Sequence, residues 1–227
     1  MEEVALRVRQ LYVGYGRAPD IISGVDLTLK RGETAAIVGA SGGGKSTLLK
    51  AVAGLVPLRA GQLEVMGFAW PRRPPRGSVG YVPQRLGLVR HATVLTNVLQ
   101  GASFGGSWMD ALLGRTPRGA RTRALEAIHQ VGLADKSDEP VRLLSGGQQR
   151  RTAVARALAQ DPRILLADEF LAELDPVTLE ALLETLKQQQ RETGMALLMV
   201  EHQLDVAMRA ADTVYRLKGG VLVPLEE

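Results

Sequence analysis

The sequence predicts an α/β fold: a parallel sheet with flanking helices, joined by an antiparallel β subdomain and an inserted α-helical subdomain. Three continuous apolar runs carry the parallel sheet, Thr34–Val38 (TAAIV), Ile164–Ala167 (ILLA) and Met195–Val200 (MALLMV). Runs that do not alternate suit strands covered on both faces. Each ends on polar or glycine residues: Gly39, then Asp168-Glu169, then Glu201-His202. Ligands of open α/β sheets lie beyond the carboxyl ends of the strands, so three chemically loaded ends are expected at one site. Val4–Arg9 and Ile22–Leu29 alternate apolar with polar residues instead, as antiparallel strands with one wet face do. Leu63–Val65 and Val79–Val82 read as further short strands. Helical periodicity fills Val94–Leu133, broken by a Gly- and Arg-rich loop around Gly114–Arg123, and returns in Leu179–Gln190 and Gln203–Ala211.

Composition narrows the class. The chain has 227 residues, 45% of them hydrophobic, enough for one substantial core or two small ones. No stretch approaches the roughly 20 apolar residues that cross a bilayer. The acidic start Met1-Glu2-Glu3 has no apolar run behind it, so neither signal nor transit peptide is expected. The short tail after Gly220 is expected to hold no regulatory domain. Cysteine is absent, which excludes disulfides and thiolate metal sites, and His91, His129 and His202 form no ligand-spaced pair. The net charge of +4 reads as an ordinary solvated surface rather than a nucleic-acid footprint. These features describe a cytoplasmic globular protein.

Gly39-Ala40-Ser41-Gly42-Gly43-Gly44-Lys45-Ser46-Thr47 matches G-x-x-x-x-G-K-[S/T] at every defined position. It follows a buried strand and opens a helix expected over Ser46–Ala53, which is the context a phosphate-binding loop requires. Glycines let backbone N–H groups turn inward, and the helix N-terminus adds about half a positive charge. Lys45 then neutralises the β- and γ-phosphates of ATP, and the Ser46 hydroxyl ligates Mg²⁺. Asp168, ending the second apolar strand, holds Mg²⁺ through its water shell, and Glu169 is placed to act as general base on the attacking water. His202, at the third strand end, reaches the γ-phosphate and positions that water.

Leu144-Ser145-Gly146-Gly147-Gln148-Gln149 is a second glycine turn, opening a helix expected over Gln149–Ala159. Such a helix start suits an anion, yet the chain has one phosphate lysine. Two copies facing head to tail satisfy both, each offering its Ser145–Gly147 turn to the ATP on the other copy's Lys45. With LSGGQ at 144–148 beside the phosphate loop, the whole chain resembles the ABC ATPase family. The resemblance implies that Gln84, in YVPQ, senses Mg²⁺ and the membrane partner. It likewise implies that Leu174-Asp175 crosses the dimer interface to the nucleotide, and that Ser145, Gly146, Gly147 and Gln148 are the signature contacts. Tyr15 stands where an aromatic stacks on adenine, with Tyr12 as the alternative register. The expected layout is a single nucleotide-binding domain over 1–227, in which 1–84 and 150–227 form the core with its antiparallel subdomain and 85–149 the helical signature subdomain. Two residues depart from the family pattern: Phe170 stands where proline is usual, and Glu173 where a small residue is usual. Neither removes a phosphate, metal or base group, so hydrolysis is expected to survive. The Glu173 charge either alters dimer closure or coupling between the two sites, or is a solvated side chain, the reading favoured here.

The segments LGLVRHATVLTNVLQG (86–101), SWMDALLGRTPRG (107–119) and RALEAIHQVGLADKS (123–137), with His202-Gln203-Leu204-Asp205, resemble the ATPase subunits of phosphonate and phosphite importers. That resemblance implies a homodimer of ATPase subunits on the cytoplasmic face of the inner membrane, integral permease subunits and, indirectly, a solute-binding protein. The alternative is a soluble ABC ATPase of carbon–phosphorus lyase machinery or another non-import system. Nucleic-acid ATPases of the family carry paired cassettes or a long coiled-coil insertion, which 227 residues do not hold. Trp108 reads as a docking residue. For Arg115, Arg118, Arg121 and Arg123, and for the Arg72-Arg73…Arg76 loop, docking or lipid contact stands against a solvated loop, the reading favoured for 72–76.

Overall fold

The computed structural model describes residues 3–104, 117–172 and 174–225. The chain divides into two compact units. The first comprises Met1–Pro74, Arg163–Glu169 and Gln190–Glu227. In chain order it holds β1 (Val4–Val13), β2 (Ile22–Lys30), β3 (Thr34–Val38), α1 (Lys45–Val52), β4 (Ala60–Val65), β5 (Phe68–Ala69), β7 (Ile164–Asp168), β8 (Ala196–Val200), α6 (Leu204–Ala210), β9 (Thr213–Lys218) and β10 (Val221–Pro224).

Four of these strands make an antiparallel sheet in the order β2-β1-β4-β5. Its alternation is the one the sequence carries: Leu6, Val8 and Leu63 are buried, while Arg9 and Gln62 are exposed. The unit's other sheet runs β10-β9-β3-β8-β7. Every residue of β3, β7 and β8 is buried, which is why these runs contain no alternation. They pair in parallel, Thr34 opposite Leu197 and Ile164 opposite Ala196, so all three finish at the same edge. A fully buried leucine such as Leu165 or Leu198 contributes about 1.5–3 kcal/mol. Strands β5, β9 and β10 escape the sequence reading. β5 has two residues, too few for a period, and β9 alternates buried with exposed residues beside a parallel partner, β3.

The second unit comprises Pro75–Pro162 and Phe170–Gln189. It holds β6 (Val79–Val82), α2 (Val94–Ala102), α3 (Ala120–Gln130), two short 3-10 turns, α4 (Gly146–Leu158) and α5 (Pro176–Thr193) as far as Gln189. Helices α2, α3 and α4 pack on one another around Val94, Val98, Ala124, Ile128 and Val154, all fully buried. α4 starts at Gly146, three residues before the expected Gln149, because Ser145 and Gln148 close a reciprocal cap around its first turn. α3 starts at Ala120, so Arg121 and Arg123 are helical rather than part of a loop. Arg123 donates to the Ala102 carbonyl at 2.8 Å, which ties the two helices together. Trp108, Arg115 and Glu173 lie outside the described residues. Among the described residues no helix is long and apolar enough to cross a membrane.

One buried polar side chain organises the start of α2. Asn97 is fully buried, donates to the Val89 and Thr93 carbonyls at 3.1 and 2.9 Å, and accepts from the Val89 N–H at 2.8 Å. Asn97→Ala removes the acceptor of the Val89 N–H, while the Val89 and Thr93 carbonyls keep the N–H groups of Ala92 and residue 97, so unfolding in urea should show about 1–2 kcal/mol less stability. A loss under about 0.5 kcal/mol, the range of inert surface changes, would mean that water enters or the 89–93 loop is held by other contacts.

Candidate functional site

The first unit brings Lys45, Ser46, Asp168, Glu169 and His202 to the carboxyl edge of β3, β7 and β8. The glycine loop after β3 delivers the first two. Gly44 sits at φ 97°, a left-handed conformation, and an added Cβ would lie 2.7 Å from Ile21 Cγ2. Only glycine fits there, and the turn it makes aims the start of α1 at the strand ends. Lys45 is 4% exposed, and its ammonium donates to the Gly39 and Ala40 carbonyls at 2.8 and 3.1 Å. Burial pulls its pKa below the ordinary lysine value, opposed by the charges of Glu169 and Asp168. The loop thus holds a desolvated cation against its own carbonyls.

Ser46 donates its hydroxyl to Asp168 Oδ1 at 3.0 Å, joining the loop to the end of β7. Burial pushes the Asp168 carboxyl above the usual range, and neighbouring Glu169 adds to the rise. The Ser46 hydrogen bond and the charges of Lys50 and Lys45 oppose it. Lys50 is a member of this charge cluster that the motif does not mark.

Glu169 Oε1 stands 2.5 Å from His202 Nε2, with side chains 14% and 41% exposed respectively. The backbone of Glu169 is left-handed, φ 53°, and its N–H donates to the Val200 carbonyl at 3.0 Å. A non-glycine residue held in that region costs about 1 kcal/mol or more and marks a position fixed by its surroundings. No residue pattern announces this, because glutamate has no preference for left-handed backbone.

Tyr15 is 47% exposed in the turn after β1, free to stack on a ligand face. Tyr12 is half-buried on the strand. Gln84, Ser145–Gln148, Leu174 and Asp175 belong to the second unit. There Ser145 Oγ accepts from the Gln148 N–H at 3.3 Å, and Gln148 Oε1 accepts from the Ser145 N–H at 2.9 Å. Leu174 Cδ2 would stand 3.3 Å from a Cβ added at Gly147, so the signature turn and the Leu174-Asp175 loop are adjacent within this unit. Asp175 accepts from the Thr178 N–H at 3.0 Å and caps α5, and its hydrogen bonds with Thr178 hold its carboxyl below the usual range. Gln84 is exposed. Phe170 is fully buried.

The first unit's residues fit a nucleoside triphosphate with its metal. The opening N–H groups of α1 have no intrahelical acceptors, and a buried ammonium stands at the same place. Among the described residues no group of three or more His, Cys, Asp or Glu forms a metal cage. The one hydroxyl and one carboxylate joined at Ser46–Asp168 match the sparse protein ligation of Mg²⁺, which takes its remaining oxygens from phosphate and water.

Residues 22–172 match the family described as ABC transporter. The chain is 35% identical to the hypophosphite import ATP-binding protein HtxD of Stutzerimonas stutzeri, an alignment covering 98% of this chain and 67% of that protein. It is also 35% identical to the phosphonates import ATP-binding protein PhnC of Caulobacter vibrioides, over 96% of this chain and 85% of the relative. Its fold is similar to that of a dimeric ATP-binding cassette in a post-hydrolysis state bound to ADP and Pi, with TM-score 0.85, 29% identity, and coverage of 97% of this chain and 98% of that one.

Proposed function

The chain belongs to the ABC transporter family, and from that premise we propose that it is the ATP-hydrolysing subunit of an importer for phosphonate-type oxyanions. The observation that carries the chemistry is the meeting of Lys45, the Ser46–Asp168 pair and the Glu169–His202 pair at three adjacent strand ends. The phosphate loop binds the β- and γ-phosphates of ATP through its N–H groups and Lys45. Ser46 and Asp168 are the residues to hold Mg²⁺, which when bound neutralises phosphate charge. Glu169 takes the proton of the attacking water, and His202, beside it, orients that water toward the γ-phosphate.

Closure around ATP needs a second copy, whose Ser145–Gln148 turn and Leu174-Asp175 loop complete the site. The capped start of α4 and its neighbouring loop offer a preformed edge for this. Gln84 and the segment after it relay closure to integral permease subunits on the inner membrane, and a solute-binding protein supplies the oxyanion. The oxyanion class rests on the named importers at 35% identity.

The tagged chain, expressed in its own host and recovered from gently solubilised membranes, should bring down a multi-span membrane protein in stoichiometric amount. ATP hydrolysis by that assembly, reconstituted with its solute-binding protein, should rise with methylphosphonate or hypophosphite. Recovery of soluble enzymes alone would overturn the importer and favour the carbon–phosphorus lyase role.

A further inference from the structure

The outer face of the antiparallel sheet carries a second ligand site that the nucleotide chemistry does not use. A pocket of about 360 Å³ opens there, lined by Arg7 and Arg9 of β1, by Gln62 and Glu64 of β4, and by Trp70. Its size falls within the range of small-molecule sites.

A β-bulge builds it. Between Val8 and Leu11 the first strand advances three residues while its partner advances two, from Leu27 to Val25, and the ladder to β4 slips at the same place. Gln10 takes the strain at φ 45°. Beneath it lies Gly61, φ 95°, where an added Cβ would stand 2.2 Å from the Gln10 carbonyl oxygen, so the bulge needs glycine on the facing strand. Bulges of this kind re-aim side chains next to sites.

The consequence here is electrostatic. Gln10 turns back to Asp26, which accepts from its N–H at 3.0 Å and from Nε2 at 2.6 Å. The acid on the neighbouring strand is thereby occupied. Arg7 pairs with Glu64 at 3.6 Å, so that carboxylate is also offset. Arg9 faces Gln62 across the ladder and has no ion-pair partner among the described residues. Two arginines against one glutamate leave the lining at +1. Trp70 supplies an aromatic surface, and Arg73, which does not line the pocket, lies over its ring at 5.9 Å from the centroid.

We propose that this pocket binds a small planar aromatic anion, its ring against Trp70 and its carboxylate or phosphate on Arg9, with the Gln62 amide as a further donor. A planar fork of donors matches a carboxylate, and an aromatic wall adds stacking without charge preference. A free small molecule suits a space of about 360 Å³ better than an extended peptide strand does.

The chain has two tryptophans, so a ¹⁵N-labelled sample gives two indole N–H resonances, and Trp70→Phe assigns one. With the phosphate loop filled by Mg²⁺ and a non-hydrolysable ATP analogue, 4-nitrobenzoate should shift the Trp70 resonance saturably. Uncharged 4-nitrobenzamide should bind at least about tenfold more weakly, and Arg9→Gln should weaken 4-nitrobenzoate by about tenfold or more, the loss expected for one charge-assisted hydrogen bond. Arg9 is exposed, so that variant folds, while Arg118→Gln in the second unit should leave binding unchanged. No saturable shift up to about 10 mM, or equal affinity for both probes or for Arg9→Gln, would overturn the site.

Discussion

Glu169→Gln is expected to slow ATP hydrolysis roughly 10²–10⁴-fold, the usual contribution of a general base. The substitution is close to a pure chemical one. Glutamine has the same size and the same tolerance of backbone, so the left-handed φ of 53° and the N–H bond to Val200 should survive. Its amide can still hydrogen-bond His202 Nε2, as donor or acceptor according to the imidazole tautomer. What is lost is the ability to accept the water's proton. Phosphate release under saturating Mg²⁺-ATP should therefore collapse while ATP still binds. In the proposed cycle hydrolysis opens the nucleotide-bound pair, so size-exclusion chromatography with ATP should also show a longer-lived dimer than wild type gives. Turnover at the wild-type rate would mean that another group activates the water, and the 2.5 Å contact with His202 would then be structural.

The parts of this site that were legible in the sequence are those where chemistry demands a residue type. A buried parallel strand must be apolar throughout, so TAAIV, ILLA and MALLMV disclosed β3, β7 and β8 to within a residue or so at their ends. A phosphate loop needs glycine where Gly44 has no room for a side chain, and an ammonium where Lys45 is buried. What stayed illegible depends on conformation or on contacts distant in sequence. The αL backbone of Glu169 is imposed by its bond to Val200, and the bulge at Gln10 by Asp26 and Gly61. The early start of α4 follows from a cap in which Gly146 and Gly147, poor helix formers, are carried by Ser145 and Gln148. Arg123 reads from sequence as part of a loop because helix α3 has no acidic or capping residue at its start; its N-cap is Gly119.

Lys45→Ala separates binding from chemistry at the same site. The ammonium is buried, already desolvated, and held by two carbonyls, so it meets phosphate with little rearrangement. Truncating one member of a buried, hydrogen-bonded charge pair costs about 2–5 kcal/mol, which converts to roughly 30- to 4,000-fold weaker ATP binding. The cost is compounded here, since Asp168 and Glu169 lose one of the cations beside them, with Lys50 remaining near Asp168, and meet an anionic ligand with less positive charge between. Calorimetric titration with Mg²⁺-ATP reads the effect, and thermal melting of the nucleotide-free variant checks that the loop still folds. An unchanged dissociation constant would refute the phosphate assignment. The two substitutions must also differ from each other: Glu169→Gln keeps the nucleotide and loses turnover, whereas Lys45→Ala loses the nucleotide. If Glu169→Gln also released ATP, the carboxylate would be holding the loop rather than activating water, and the division of labour drawn from these strand ends would fail at Glu169 while standing at Lys45.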